Sequence, residues 1–238
     1  MPEDDRRTIP TAGPASSAID TFLKQARQTP KRTVGRLIFA LDATQSRQPT
    51  WDRACSMQAE MFREAGRLGG LAIQLVFYRG YGECKASGWT VNADDLLRRM
   101  TQVQCQGGLT QIGKVLANAR RQAESGPVAA LVFIGDAFEE DIDAVCEKAG
   151  ALGLLGVPAL MFQEGSDPAA ARAFGEIAKL TGGAHCAFDP SSADALRDLL
   201  RAAAAFAAGG RLALRDLTGG GRLAQALPPP SRRSGPAG

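Results

Sequence analysis

Short, continuously apolar runs alternate along this chain with longer stretches of helical pattern, and that alternation restricts its fold more than any other feature. Leu37-Ile38-Phe39-Ala40-Leu41 has no polar position, so as a strand it is buried on both faces. Further strands are read at Leu71 to Tyr78, Ala129 to Ile134 and Val157 to Phe162, with a shorter one at Ala184 to Phe188. Helical patterns run from about Trp51 to Arg67, Asp94 to Met100, Thr110 to Glu124, Asp141 to Leu152 and Asp167 to Leu180. A last helix starts at a Ser191 or Ser192 cap and reaches about Ala208. Gly69-Gly70, Gly126-Pro127 and Gly182-Gly183 separate helix from strand. Gly80-Tyr81-Gly82 turns the chain into a short strand around Cys84 to Trp89, a hairpin partner of the second strand.

Strands separated by helices imply right-handed crossovers. The expected fold is α/β: a doubly wound, mainly parallel sheet of about six strands, helices on both faces and one short antiparallel edge strand. Sheets of this kind bind ligands at the carboxyl ends of their strands. Residues just after each strand are therefore the candidates for chemistry.

Residues 1–14 include Pro2, Pro10 and Pro14 among alternating charges, a composition that predicts disorder. Ile19, Phe22, Leu23 and Ala26 then form one apolar stripe behind a Ser16 or Ser17 cap. The main domain is expected over 15–208. Residues 209–238 read as a flexible Gly/Pro/Arg-rich tail, in which Gly-Gly-Arg-Leu-Ala occurs at 209–213 and again at 220–224. This string is either a chance product of composition or a short peptide that docks on this domain or on a partner.

A net charge of +3 gives no argument for nucleic acid or an anionic membrane. With two Trp and two Tyr, a base-stacking platform is not expected either. No run approaches the ~20 apolar residues of a membrane span, and no apolar stretch follows the charged N-terminus as a secretory signal would require. The five cysteines are scattered and form no CxxC pair, which suits reduced thiols and a cytoplasmic location.

Three strand exits carry oxygen donors. Asp42-Ala43-Thr44-Gln45-Ser46 follows the first strand, Thr110 follows the Gly107-Gly108 turn, and Asp136 follows the Ala129 to Ile134 strand. In an extended loop Asp42, Thr44 and Ser46 point the same way. Two carboxylates with neutral hydroxyls suit a hard divalent cation, Mg²⁺ first, with Mn²⁺ or Ca²⁺ as alternatives.

In that order, Asp42-x-Thr44-x-Ser46, Thr110 and Asp136 resemble the metal-ion-dependent adhesion site of von Willebrand factor type A (VWA) and integrin I domains. The family's usual first motif is Asp-x-Ser-x-Ser, and Thr44 keeps the hydroxyl. The resemblance covers about Arg36 to Ala208. It implies that Thr44 and Ser46 bind the ion directly, that Thr110 joins on ligand binding, and that Asp42 and Asp136 bind directly or through water. It also implies a protein partner that supplies an Asp or Glu to the open position. The expected function is thus an intracellular, metal-dependent adaptor or scaffold without catalysis of its own.

The alternative is a haloacid dehalogenase-like phosphatase or phosphotransferase, with Asp42 as nucleophile, Lys114 as phosphate clamp and Asp136 as metal ligand. Gly108 to Lys114 also matches the opening of a phosphate-binding loop, but Val115 stands where the metal-binding hydroxyl belongs. Glu139, Glu140 and Asp141 are expected to begin a helix and favour its dipole. His185, the only histidine, is expected to be a packed or surface side chain.

Overall fold

The computed structural model describes residues 35–49, 51, 71–189, 193–215 and 221–228. Six strands form one sheet: β1 (Gly35–Asp42), β2 (Leu71–Arg79), β3 (Glu83–Ala86), β4 (Ala130–Gly135), β5 (Ala159–Glu164) and β6 (Ala184–Phe188). Their order is β3-β2-β1-β4-β5-β6. Every pairing is parallel except β2 with β3, which is the antiparallel hairpin. The helices are α1 (Ala93–Thr101), α2 (Ile112–Ser125), α3 (Ile142–Leu154), α4 (Pro168–Thr181), α5 (Ala193–Arg215) and α6 (Gly221–Ala226). The expected helix after Trp51, the N-terminal stripe and the disorder expected over 1–14 lie outside the described residues.

Strand alternation divides the core into two layers. Leu37, Phe39 and Leu41 face Leu96 and Met100 of α1, Leu199 and Leu200 of α5, and Leu223. Ile38 and Ala40 face Val115 of α2, Val145 of α3 and Phe174 of α4. Between Arg36 at the start of β1 and Asp42 at its end, the strand carries no polar side chain, because both of its faces are covered.

Local signals set most boundaries. Asn92 caps α1 by accepting from the Asp94 and Asp95 N–H groups, Asp141 caps α3 and Asp167 caps α4. Gly182, at φ 67°, ends α4 in the left-handed region that glycine occupies without strain.

The C-terminal boundary needs correction. The helix expected to stop near Ala208 continues to Arg215, and α6 follows. Leu223 and Leu227 are buried in the first core layer, so the described residues after 208 form helix rather than the expected flexible tail. The first Gly-Gly-Arg-Leu-Ala copy lies within α5, and Leu223 of the second docks on this domain. The composition signal failed because two leucines at i and i+4 supply one apolar stripe, enough to seat a short helix.

Candidate metal centre

Chain direction changes sides between β1 and β4. From β1 the chain continues to β2 on one flank, and it later returns to β4 on the other. The carboxyl ends of β1 and β4 therefore flank a topological switch point, where the loops diverge and leave a crevice. Asp42 ends β1, and Asp136 follows β4.

Asp42 is fully buried. Its Oδ1 accepts from the Thr44 N–H at 2.8 Å, an Asx turn that brings Thr44 back over the carboxylate. Its Oδ2 accepts from the Tyr78 hydroxyl at 2.8 Å. Burial pushes the Asp42 carboxyl above its ordinary value, and the neighbouring Asp136 adds to the rise against the opposing hydrogen bonds. The Tyr78 hydroxyl is raised well above its ordinary range, by burial first and then by Asp42.

The loop after Asp42 is not extended throughout, as the sequence reading assumed. Thr44 is extended, and Gln45–Arg47 then forms a 3-10 turn closed by the Arg47 N–H on the Thr44 carbonyl. This turn keeps Ser46 beside Thr44, with their hydroxyl oxygens 3.1 Å apart. Convergence of the hydroxyls thus comes from a tight turn rather than from strand alternation.

Asp136 lies across the crevice. Its predecessor Gly135 packs against Asp42, so that a Cβ on Gly135 would fall 3.4 Å from the Asp42 Cβ. Asp136 Oδ1 is buried with no hydrogen-bond partner among the described residues. Thr110 enters from the loop before α2. That loop runs beside the Asp42–Ser46 loop through a bridge between Thr44 and Gln106 and the Gln106 N–H on the Ala43 carbonyl. All five candidate residues therefore gather at one end of the sheet.

Several residues that shape this centre were not singled out by sequence. Tyr78 read only as the end of a strand, yet it holds Asp42. Arg47, directly after Ser46, is buried and paired with the buried Glu164 at the end of β5. Glu139 and Glu140 do not begin α3, because Asp141 caps that helix. Instead Glu139 engages Thr110, and Glu140 accepts from the Ile112 and Gly113 N–H groups at 2.5 and 2.9 Å. The acidic run was visible in the sequence, but its target on another helix was not.

The same contacts bear on the rival readings. The first-turn amides of α2 that a phosphate would need are occupied by Glu140. Lys114 Nζ donates to the Gly82 carbonyl and Gln111 Oε1, both at 2.8 Å, away from Asp42. Among the described residues no contact supports the phosphotransferase arrangement. His185 is half-buried, with Nε2 3.0 Å from Gln163 Oε1, and burial lowers its pKa.

The donor set fits a hard divalent cation. It comprises oxygen atoms only, two carboxylates share one crevice, and one buried carboxylate oxygen has no hydrogen-bond partner among the described residues, where such atoms are normally satisfied. Among the described residues no three His, Cys, Asp or Glu side chains cluster as a metal site, so any ion here would depend on hydroxyls.

No protein-family model matches the chain, and no curated protein matches it. Solved structures match in fold. The VWA domain of SpRpn10 aligns with TM-score 0.55 at 12% identity, over 71% of this chain and 94% of that one. The vWF domain of the type V pili tip protein Mfa5 from Porphyromonas gingivalis aligns with TM-score 0.57 at 11% identity, over 70% and 93%. The fold is VWA-like. A mutant PilB minor pilin from Streptococcus sanguinis aligns with TM-score 0.57 at 10% identity, over 77% of this chain and 63% of the pilin. At these identities the VWA-like likeness carries the architecture and no residue's role. Among the described residues no helix is long and apolar enough to cross a membrane.

Proposed function

We propose that this VWA-like domain holds one divalent cation, Mg²⁺ in the first place, among Asp42, Thr44, Ser46, Thr110 and Asp136, and uses it to bind an acidic side chain of another protein. The observation that carries this reading is the buried Asp136 Oδ1, which has no hydrogen-bond partner among the described residues, on a side chain near enough to Asp42 to raise its carboxyl. A 2+ charge there would balance both carboxylates and satisfy the orphaned oxygen. Tyr78 and the Thr44 N–H orient Asp42, the 3-10 turn presents the Thr44 and Ser46 hydroxyls together, and the Asp136 loop steadies Thr110. A bound ion would supply electrophilic character toward an outside carboxylate, because neutral hydroxyls leave part of its charge uncompensated. The role that fits is an interaction module, an adaptor or scaffold, rather than an enzyme.

A cytoplasmic placement draws support from Cys84 and Cys146, both free thiols. Structures of similar fold include a pilus tip protein as well as SpRpn10, so the fold assigns no compartment.

The test is thermal unfolding with and without Mg²⁺. At a hundredfold excess over its dissociation constant, an ion bound only to the native state adds about 2.7 kcal/mol. This gain should disappear in Asp136→Asn and in Thr44→Val while both remain folded. An equal Mg²⁺ effect in wild type and Asp136→Asn would place the ion elsewhere. Turnover of a phosphate ester that is abolished by Asp42→Asn would favour the phosphotransferase alternative.

A further inference from the structure

The end of the sheet that carries the candidate centre has a deep floor and a raised rim. Thr44 and Thr110 are 6% and 3% exposed, whereas Tyr81 and Leu109 are 86% and 50% exposed. Tyr81 and Leu109 belong to two loops that are locked together. Gly80, before Tyr81, packs against Gly108, before Leu109: a Cβ on Gly108 would fall 2.0 Å from the Gly80 carbonyl oxygen. Gln111 Nε2 also donates to the Arg79 and Gly80 carbonyls, both at 3.1 Å. Two large apolar side chains thus sit on a stiff support next to Thr110. Lys114, exposed and held on the Gly82 carbonyl, adds positive charge beside Tyr81.

A single exposed apolar side chain needs no explanation. A rigidly mounted aromatic with an aliphatic neighbour, bordering a polar recess, has the makeup of a binding hot spot. We infer that the Tyr81–Leu109 rim and the recess at Thr110 together take an extended segment of another protein in which an acidic residue lies within two positions of a large apolar one. The inference rests on the cation centre proposed above. Only a projecting side chain reaches the buried hydroxyls, and a carboxylate is the group the centre would draw in. Two residues of extended chain span at most about 7 Å, so the neighbouring side chain remains over the rim. Lys114 complements the negative segment.

The test presents short random peptides on phage to the full chain in Mg²⁺ and elutes with a chelator. The eluted pool should be enriched in Asp or Glu with Phe, Trp, Leu or Ile within two positions. A synthetic consensus peptide should bind Tyr81→Ser and Leu109→Ser about tenfold or more weakly than wild type, while their Mg²⁺-dependent thermal stabilisation is unchanged. Acidic enrichment with no apolar preference, or full binding by both variants, overturns the rim inference and leaves the centre standing. An empty chelator-eluted pool beside an intact Mg²⁺ stabilisation overturns the extended peptide as occupant. Chelator-sensitive dimerisation lost in Tyr81→Ser would assign the rim to a second copy of this chain instead. Absence of both eluted peptides and Mg²⁺ stabilisation overturns the centre itself.

Discussion

Glu139 and Thr110 hold each other in both directions. The Thr110 N–H donates to the Glu139 carboxylate at 3.2 Å, and the Glu139 N–H donates to Thr110 Oγ1 at 2.9 Å. The loop that begins at Asp136 thereby anchors Thr110, so two candidate ligands from distant parts of the chain move as one unit. Thr110 Oγ1 retains a lone pair and its proton for the crevice.

The two residues should therefore be energetically coupled. Glu139→Ala removes the acceptor of the Thr110 N–H, and Thr110→Ala removes that of the Glu139 N–H. Each should cost about 1–2 kcal/mol. In the double variant the losses should fall short of additivity by roughly 0.5 kcal/mol or more. Urea unfolding of the four proteins measures the cycle, and simple additivity would mean that the pair is independent.

Asp42 should make the metal-free protein less stable as pH rises. Its carboxyl is raised above the ordinary value of 3.8, first by burial. The native state thus binds the proton more tightly than the unfolded state does. Stability from this group is complete below 3.8 and is lost as pH climbs through the raised native value. Asp42→Asn has no such titration, so the stability of wild type relative to this variant should fall across that window. Denaturant unfolding in chelator at a series of pH values measures the difference, and a difference that rises with pH would contradict the burial argument.

Arg47 and Glu164 form a buried ion pair that ties the turn after Ser46 to the end of β5. Removing one partner takes the opposite charge away from the other inside the protein. Arg47→Met or Glu164→Gln should each destabilise by about 3–5 kcal/mol, whereas Arg47→Met with Glu164→Leu should recover much of the loss. Chemical denaturation distinguishes these outcomes. A double variant as unstable as the sum of the singles would show that the pair stabilises beyond mutual neutralisation.

Leu223 belongs to the core. Leu223→Ala should cost about 2–5 kcal/mol, like other buried leucine truncations. An effect below about 0.5 kcal/mol, read by urea unfolding, would mean that α6 does not stay on the sheet.

Periodicity carried most of the architecture. An all-apolar run such as Leu37 to Leu41 has few places to go, and Asp141 and Asp167 marked helix starts because a short side-chain oxygen satisfies the free N–H groups there. The parallel sheet, its hairpin edge and the strand exits bearing Asp42 and Asp136 followed from such local rules, whereas Thr110, read as a third strand exit, lies in the loop between α1 and α2. Leu223 did not, because whether a short apolar stripe docks depends on an uncovered surface elsewhere in the chain.

The sequence by itself determined which residue types leave the sheet at each strand end, since burial on both faces pushes polar groups to the exits. Only the tertiary structure decided how they meet. Gly135 packing on Asp42, the Tyr78 hydroxyl on the Asp42 carboxylate, Glu139 on Thr110 and Arg47 on Glu164 each join segments far apart in the chain. Hydrogen bonds and ion pairs act over a few ångströms, and strand order sets which loops come that close; no spacing along a linear chain encodes that distance.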